Sequence, residues 1–276
     1  MTATHTLDVP GAHLHYEVRG AGPLLLVVGS PMDAGAFAPL ADVLAGDHTV
    51  VTHDPRGISG STHDDPDQDS TPELRADDMA ALLDALGADS ADVFGSSGGA
   101  VTGLALVARH PDRVGTLVAH EPPVMELLPD AAEQRAMTDD IVETFHREGQ
   151  GAAWMKFMAG AGFDSGDGGG DGDCGGAPTP PPGEPSLQDI ANGARFFGHE
   201  LRGTARYVPD IAALKAAPAR VVVGVGAASG GLLTYRTSIA LAELLGTPPV
   251  EFPGDHGGFL GRPEEFAEVL RRTLAG

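Results

Sequence analysis

Val93-Phe94-Gly95-Ser96-Ser97-Gly98-Gly99-Ala100 is the stretch on which the reading of this chain turns. It holds one G-x-S-x-G match, with Ser97 at the centre, in a chain that contains 39 glycines and so could match by chance. Context argues against chance. Asp92-Val93-Phe94 reads as a short strand and Ala100 to Arg109 as a helix, and no second match occurs. A serine on a strained strand-to-helix turn needs glycine two residues to either side, because the crossing chains leave no room for a Cβ there. Ser97 is therefore the candidate nucleophile.

Upstream, His13 to Val18 reads as a period-2 strand. Leu24-Leu25-Leu26-Val27-Val28 is a continuous apolar run, as expected of a strand buried on both faces. A helix is expected over Ala36 to Ala45, a strand over Thr49 to His53, and a helix opened by Thr71-Pro72-Glu73 and closed by Gly87. Downstream come a strand at Val114 to Ala119 and, after a long interruption, a strand (Arg220 to Val225), a helix (Leu232 to Leu245), a strand (Val250 to Phe252) and a helix (Glu264 to Leu274). Strands alternating with helices imply an α/β fold with a mostly parallel, doubly wound sheet. Residues 1–122 and 210–276 would form the core.

The interruption, residues 123–209, carries helical patterns at Ala131 to Arg147, Ala152 to Ala159 and Ser186 to Leu201. It reads as a helical cap over the carboxyl edge of the sheet, where open α/β folds bind ligands. Within it Asp164 to Pro185 is rich in Gly, Pro and Asp and is expected to be a mobile loop, too poor in apolar surface to offset its ordering entropy. Its acidic residues lack the spacing of a calcium-binding loop, so no metal is expected.

A formal charge of −22 over 276 residues repels nucleic acid and anionic membranes, which excludes both as partners. Cys174, the one cysteine, cannot form an internal disulfide, and the N-terminus shows neither a basic region nor an apolar run. A cytoplasmic location is the expectation. The partners expected are a small hydrophobic ester or lactone substrate and, as an open question, a second copy of the chain in a homodimer. No cofactor is expected.

The base for Ser97 should follow the last strand. There stands Pro253-Gly254-Asp255-His256-Gly257-Gly258, and His256 is the only histidine after His199. One oxyanion donor should be the amide of Gly98; the second is expected just past the first buried strand, in Val28-Gly29-Ser30-Pro31, at Ser30. The acid is the irregular member. Gly226-Ala227-Ala228-Ser229-Gly230-Gly231 follows the strand that ordinarily delivers it, and no Asp or Glu lies between Asp210 and Glu243. The other perch is Val118-Ala119-His120-Glu121-Pro122-Pro123, one strand from Ser97, which makes Glu121 the candidate. The alternative is a Ser97–His256 dyad with Glu121 in a structural role. Asp255 is too close in sequence to orient the ring, and Asp54 reads as a turn residue.

Taken together, Val28-Gly29-Ser30-Pro31, Asp54-Pro55-Arg56-Gly57-Ile58-Ser59-Gly60-Ser61, Gly95-Ser96-Ser97-Gly98-Gly99 and Gly254-Asp255-His256-Gly257 resemble the α/β-hydrolase superfamily over the whole core. Three segments are similar to zearalenone lactone hydrolases. These are Phe94 to Gly99 with Pro111-Asp112-Arg113, then Ala119-His120-Glu121-Pro122-Pro123, then Val223 to Ser229. That resemblance implies Glu121 as the acid and Ser30 and Gly98 as the oxyanion amides. The Asp164 to Pro185 segment departs from that family.

The apolar side chains of the insertion suggest a pocket over Ser97. Val124, Met125, Trp154, Phe157, Met158 and Phe197 are the candidates there, with Met32 and Pro122 from the core. Leu127, Leu128 and Phe196 belong to the same cluster, and the competing role for all of them is packing the cap. Function then reads as a serine hydrolase of hydrophobic esters or lactones acting through an acyl-enzyme. The alternatives are a general carboxylesterase or perhydrolase on the same triad, and a non-catalytic ligand-binding homologue.

Overall fold

The computed structural model describes residues 2–163 and 185–276, so the loop expected over 164–185 lies outside the described residues but for Pro185, as does Cys174. Among the described residues nine strands form one sheet. They are β1 (Thr2–Val9), β2 (Ala12–Gly20), β3 (Leu24–Val28), β4 (Thr49–His53), β5 (Thr62–His63), β6 (Ala91–Ser96), β7 (Val114–His120), β8 (Arg220–Gly226) and β9 (Val250–Phe252). Their order is β1-β2-β4-β3-β6-β7-β8-β9, with β5 paired to β2. β1, β2, β4 and β5 meet antiparallel; from β4 to β9 every neighbour is parallel. This is the α/β-hydrolase fold.

The helices are α1 (Ala38–Leu44), α2 (Pro72–Ala85), α3 (Gly98–Arg109), α4 (Ala131–Glu148), α5 (Gln150–Ala161), α6 (Leu187–His199), α7 (Leu201–Ala205), α8 (Ile211–Ala216), α9 (Leu233–Leu245), α10 (Gly258–Gly261) and α11 (Pro263–Ala275). Alternation along each parallel strand sends side chains to two cores. Leu26, Val28, Val93, Leu117 and Ala119 face the core shared with α2, α3 and α9. Leu25, Val27, Phe94 and Val118 face the core shared with α1 and α11. Each fully buried Leu or Phe among them contributes about 1.5–3 kcal/mol, and shifting any strand by one residue would exchange its two faces.

β1 was not expected from sequence. Its Thr-Ala-Thr-His-Thr run is almost wholly exposed at the sheet edge, so no apolar alternation marks it. It is held by antiparallel pairing with β2 from Thr2 opposite Arg19 to Val9 opposite Ala12. Between β7 and β8 the helices α4 to α7 gather around a separate apolar cluster of Ile141, Val142, Ala153, Phe196, Phe197 and Leu201. Among the described residues no helix is long and apolar enough to cross a membrane.

Candidate active site

Ser97 occupies the turn between β6 and α3 with φ 55° and ψ −124°, a conformation a non-glycine residue adopts only under strain of about 1–3 kcal/mol. The turn is held by the amide of Ser97 donating to His120 O at 2.9 Å. The flanking glycines are required by contact. A Cβ on Gly99 would lie 2.0 Å from Val28 O, and one on Gly95 2.6 Å from Gly99 O. The helix thus starts hard against the end of β3, with the Gly98 amide at its N-terminus. Ser30 sits at the end of β3 immediately beside it: a Cβ on Gly98 would be 2.6 Å from Ser30 O and 2.8 Å from Ser30 Oγ.

Glu121 directly follows β7 and, like Ser97, turns out of its strand with positive φ, here 49°. Its amide donates to Gly224 O at 3.0 Å, which pins this turn to β8. The side chain is fully buried. Oε1 accepts the amide of Gly226 at 2.8 Å, and Oε2 accepts the hydroxyl of Thr234 at 2.8 Å and pairs with His256 Nδ1 at 2.7 Å. Burial alone would push this carboxyl up. The hydrogen bond with His256 and the neighbouring His120 and His256 imidazoles outweigh burial and hold it at about 2. Ser229, at the position where a carboxylate would ordinarily follow β8, lies close enough to favour the ionised form, yet its buried hydroxyl makes no hydrogen bond of ordinary geometry.

His256 lies in the turn between β9 and α10, half-buried. His120 packs alongside it with ring centroids 6.3 Å apart, and Phe163 meets its edge at 6.0 Å. His120 is fully buried, and burial lowers its imidazole to about 4, which leaves it neutral at neutral pH. Among the described residues no hydrogen bond joins Ser97 Oγ to His256. Such contacts commonly tighten only when substrate is bound.

Of the residues expected from sequence, the structure thus brings Glu121 and His256 into direct contact and sets Ser30 against Gly98, one residue from Ser97. Asp54, expected as a turn residue, accepts the amides of Ala34 and Gly60 at 2.8 Å each. The expected pocket residues are more dispersed. Trp154 stacks on Phe196 at 5.6 Å and meets the edges of Phe157 and Phe197 at 5.5 and 4.9 Å, so these rings pack largely on one another. Val124 is fully buried in the core under α3, and Met125 packs with Leu128, Ala205 and Leu233. Met32 lies against the cluster beneath α1. Met158 is half-buried on α5. The carbonyl of Pro122 accepts the hydroxyl of Thr237 at 2.6 Å, tying the chain after Glu121 to α9.

Thr234, the second donor to Glu121 Oε2, and Phe163 were not singled out from sequence. Thr234 lies in the first turn of α9, which begins just past the residues where an acid was sought, so the strand-end position itself was the available signal.

The model of the alpha/beta hydrolase fold family matches residues 22–153. An uncharacterized hydrolase, YraK of Bacillus subtilis (strain 168), is 35% identical over 274 residues, spanning 98% of this chain and 95% of that protein. The chain belongs to the α/β-hydrolase family. Among solved structures, this α/β hydrolase is similar to a thermophilic esterase from Thermogutta terrifontis, with a TM-score of 0.73, 20% identity and coverage of 100% and 98% of the two chains. It is also similar to an enol-lactonase from Burkholderia xenovorans LB400, with a TM-score of 0.65, 19% identity and coverage of 99% and 100%. At these identities the two structures speak to the fold.

Proposed function

We propose that this α/β hydrolase cleaves hydrophobic carboxylic esters or lactones through a Ser97 acyl-enzyme, with His256 as base and Glu121 as acid. The observation that carries the reading is the 2.7 Å contact between His256 Nδ1 and a buried, ionised Glu121, one strand from a serine held on a strained turn. In that arrangement Nδ1–H donates to the carboxylate, which leaves the lone pair of Nε2 to take the Ser97 proton as Oγ attacks the ester carbonyl. The amides of Ser30 and Gly98 hold the oxyanion. The imidazolium then returns its proton to the departing alcohol oxygen, and water activated by the same base releases the acid. Nothing in this sequence of steps calls on a metal or cofactor.

The apolar side chains of α4 to α6 and the lactone-hydrolase resemblance of His120-Glu121-Pro122 support a hydrophobic lactone, of the zearalenone class, as substrate. Fluorophosphonate labelling and a panel of macrolactones and small aryl esters test this on the wild type and Ser97→Ala. Labelling of the wild type only, with Ser97→Ala inactive, is expected. An unlabelled wild type would favour a non-catalytic binding protein, and turnover of aryl esters alone a general carboxylesterase.

A further inference from the structure

Two buried charges take no part in the chemistry above: Glu200, between α6 and α7, and Arg75, on α2, exposed to 1% and 2%. The hydroxyl of Ser30 donates to Glu200 Oε1. Arg75 Nη1 lies 3.4 Å from that same oxygen. In the other direction Arg75 Nε donates to Thr102 Oγ1 at 3.0 Å, and the Thr102 hydroxyl donates to Gly98 O at 3.2 Å. The guanidinium is itself fixed, donating to Ser70 O at 2.6 Å and to Thr204 Oγ1 at 2.9 Å. Each oxyanion residue is therefore one side chain removed from a single buried cation.

We propose that Arg75 and Glu200 are positioning residues that set the two oxyanion donors, Ser30 through its hydroxyl and Gly98 through Thr102. The inference rests on the proposed roles of Ser30 and Gly98. Stabilisation of an oxyanion depends on donors already in place before charge develops, so a small loss of alignment is felt in turnover more than in substrate binding. Charge balance points the same way. Burial pushes the Glu200 carboxyl up, and Arg75 and Arg195 oppose that rise; an ionised carboxylate beside Ser30 without them would work against the developing negative charge.

The placement also joins two parts of the chain. Glu200 comes from the helices inserted between β7 and β8, whereas Ser30, Arg75 and Thr102 belong to the sheet and its flanking helices. The same inserted helix is clamped to the loops after β3 and β4. Asn192 Oδ1 accepts the amide of Ser59 at 2.8 Å, and the Ser59 hydroxyl donates to Asp33 at 2.6 Å. The docked position of α6 thus sets where Glu200 stands relative to the Ser30 hydroxyl.

Four variants of the full chain test this: Ser30→Ala, Thr102→Val, Glu200→Gln and Glu200→Leu, each assayed for kcat, KM and inhibition by an alkyl trifluoromethyl ketone. Ser30→Ala and Thr102→Val are expected to lower kcat about 10-fold or more, with KM within about threefold, and to weaken the ketone in parallel. Glu200→Gln keeps an acceptor for the Ser30 hydroxyl and is expected to retain more activity than Glu200→Leu. If Glu200→Leu fails to fold, the Ser30 and Thr102 variants, which leave the buried ion pair intact, decide the matter. Normal kcat in both, or a loss confined to KM, overturns the proposal while Ser97→Ala is inactive. Turnover that survives Ser97→Ala would instead remove the underlying reading, and this inference with it.

Discussion

Replacing Glu121 by glutamine changes one oxygen to an amide nitrogen at a place where every neighbour is a donor. Oε1 receives the amide of Gly226, and Oε2 receives the Thr234 hydroxyl and His256 Nδ1. A glutamine has one acceptor end. With that end towards Gly226, its NH₂ group faces His256 and forces the ring to accept at Nδ1. The proton then sits on Nε2, the nitrogen that must take the Ser97 proton. With the acceptor end towards His256, the NH₂ group faces the buried Gly226 amide, and an unsatisfied donor pair costs about 1–3 kcal/mol. The wrong tautomer in the corresponding amide variant of a serine protease costs about 10⁴ in kcat, so a loss of about 10³ to 10⁴ is expected here for Glu121→Gln. Initial rates on a chromogenic ester, with Ser97 titrated by fluorophosphonate to count competent sites, measure it. A Glu121→Gln enzyme within threefold of wild type would show that Ser97 and His256 work as a dyad.

Gly99→Ala should prevent α3 from seating on β3, since its methyl would meet Val28 O; a loss of more than about 3 kcal/mol in urea unfolding is expected. Gly230→Ala, which points into open space, is expected to match the wild type and serves as its control. Thr234→Val removes one donor from Glu121 Oε2 and is expected to lower kcat about 3- to 10-fold, with little change in KM; unchanged kcat would make Thr234 a packing residue only. Acid should destabilise the fold in two overlapping stages. His53 and His120 are held near 4, below the ordinary 6.5, so the unfolded chain binds more protons between those values and stability falls as pH drops from about 6.5 to 4. Glu121, held at about 2 rather than 4.5, extends the loss downward from about 4.5. Thermal melts from pH 7 to 3 check this, and a midpoint independent of pH above 4 would contradict the histidine part.

Much of the candidate site was legible because its strongest constraints are local. G-x-S-x-G singles out Ser97, and a strand followed by Pro-Gly-Asp-His singles out His256. Glu121 needed a global argument, the absence of any carboxylate after β8 together with the free strand end beside Ser97. The Arg75–Glu200 pair was not legible. Arg75 stands on the buried stripe of α2, four residues before Met79 and seven before Leu82, where a charge signals a buried partner without naming it. Its partner lies 125 positions along, at the junction of two inserted helices, and only the tertiary fold brings them together. β1 escaped for the opposite reason: an exposed edge strand is specified by backbone pairing and leaves little trace in hydropathy.

Placing the proposed acid at the end of β7 ties its position to that of the proposed nucleophile. Ser96 pairs with His120 in the β6–β7 ladder, so Ser97 and Glu121 each leave the sheet one residue past a shared rung. One pair of adjacent strands therefore sets the spacing between them. The segment 227–231 instead braces the turn that carries His256, through the amides of Ala227 and Ala228 donating to Phe252 O and Gly254 O at 2.9 Å each, so a change of length there would move the imidazole along with the loop.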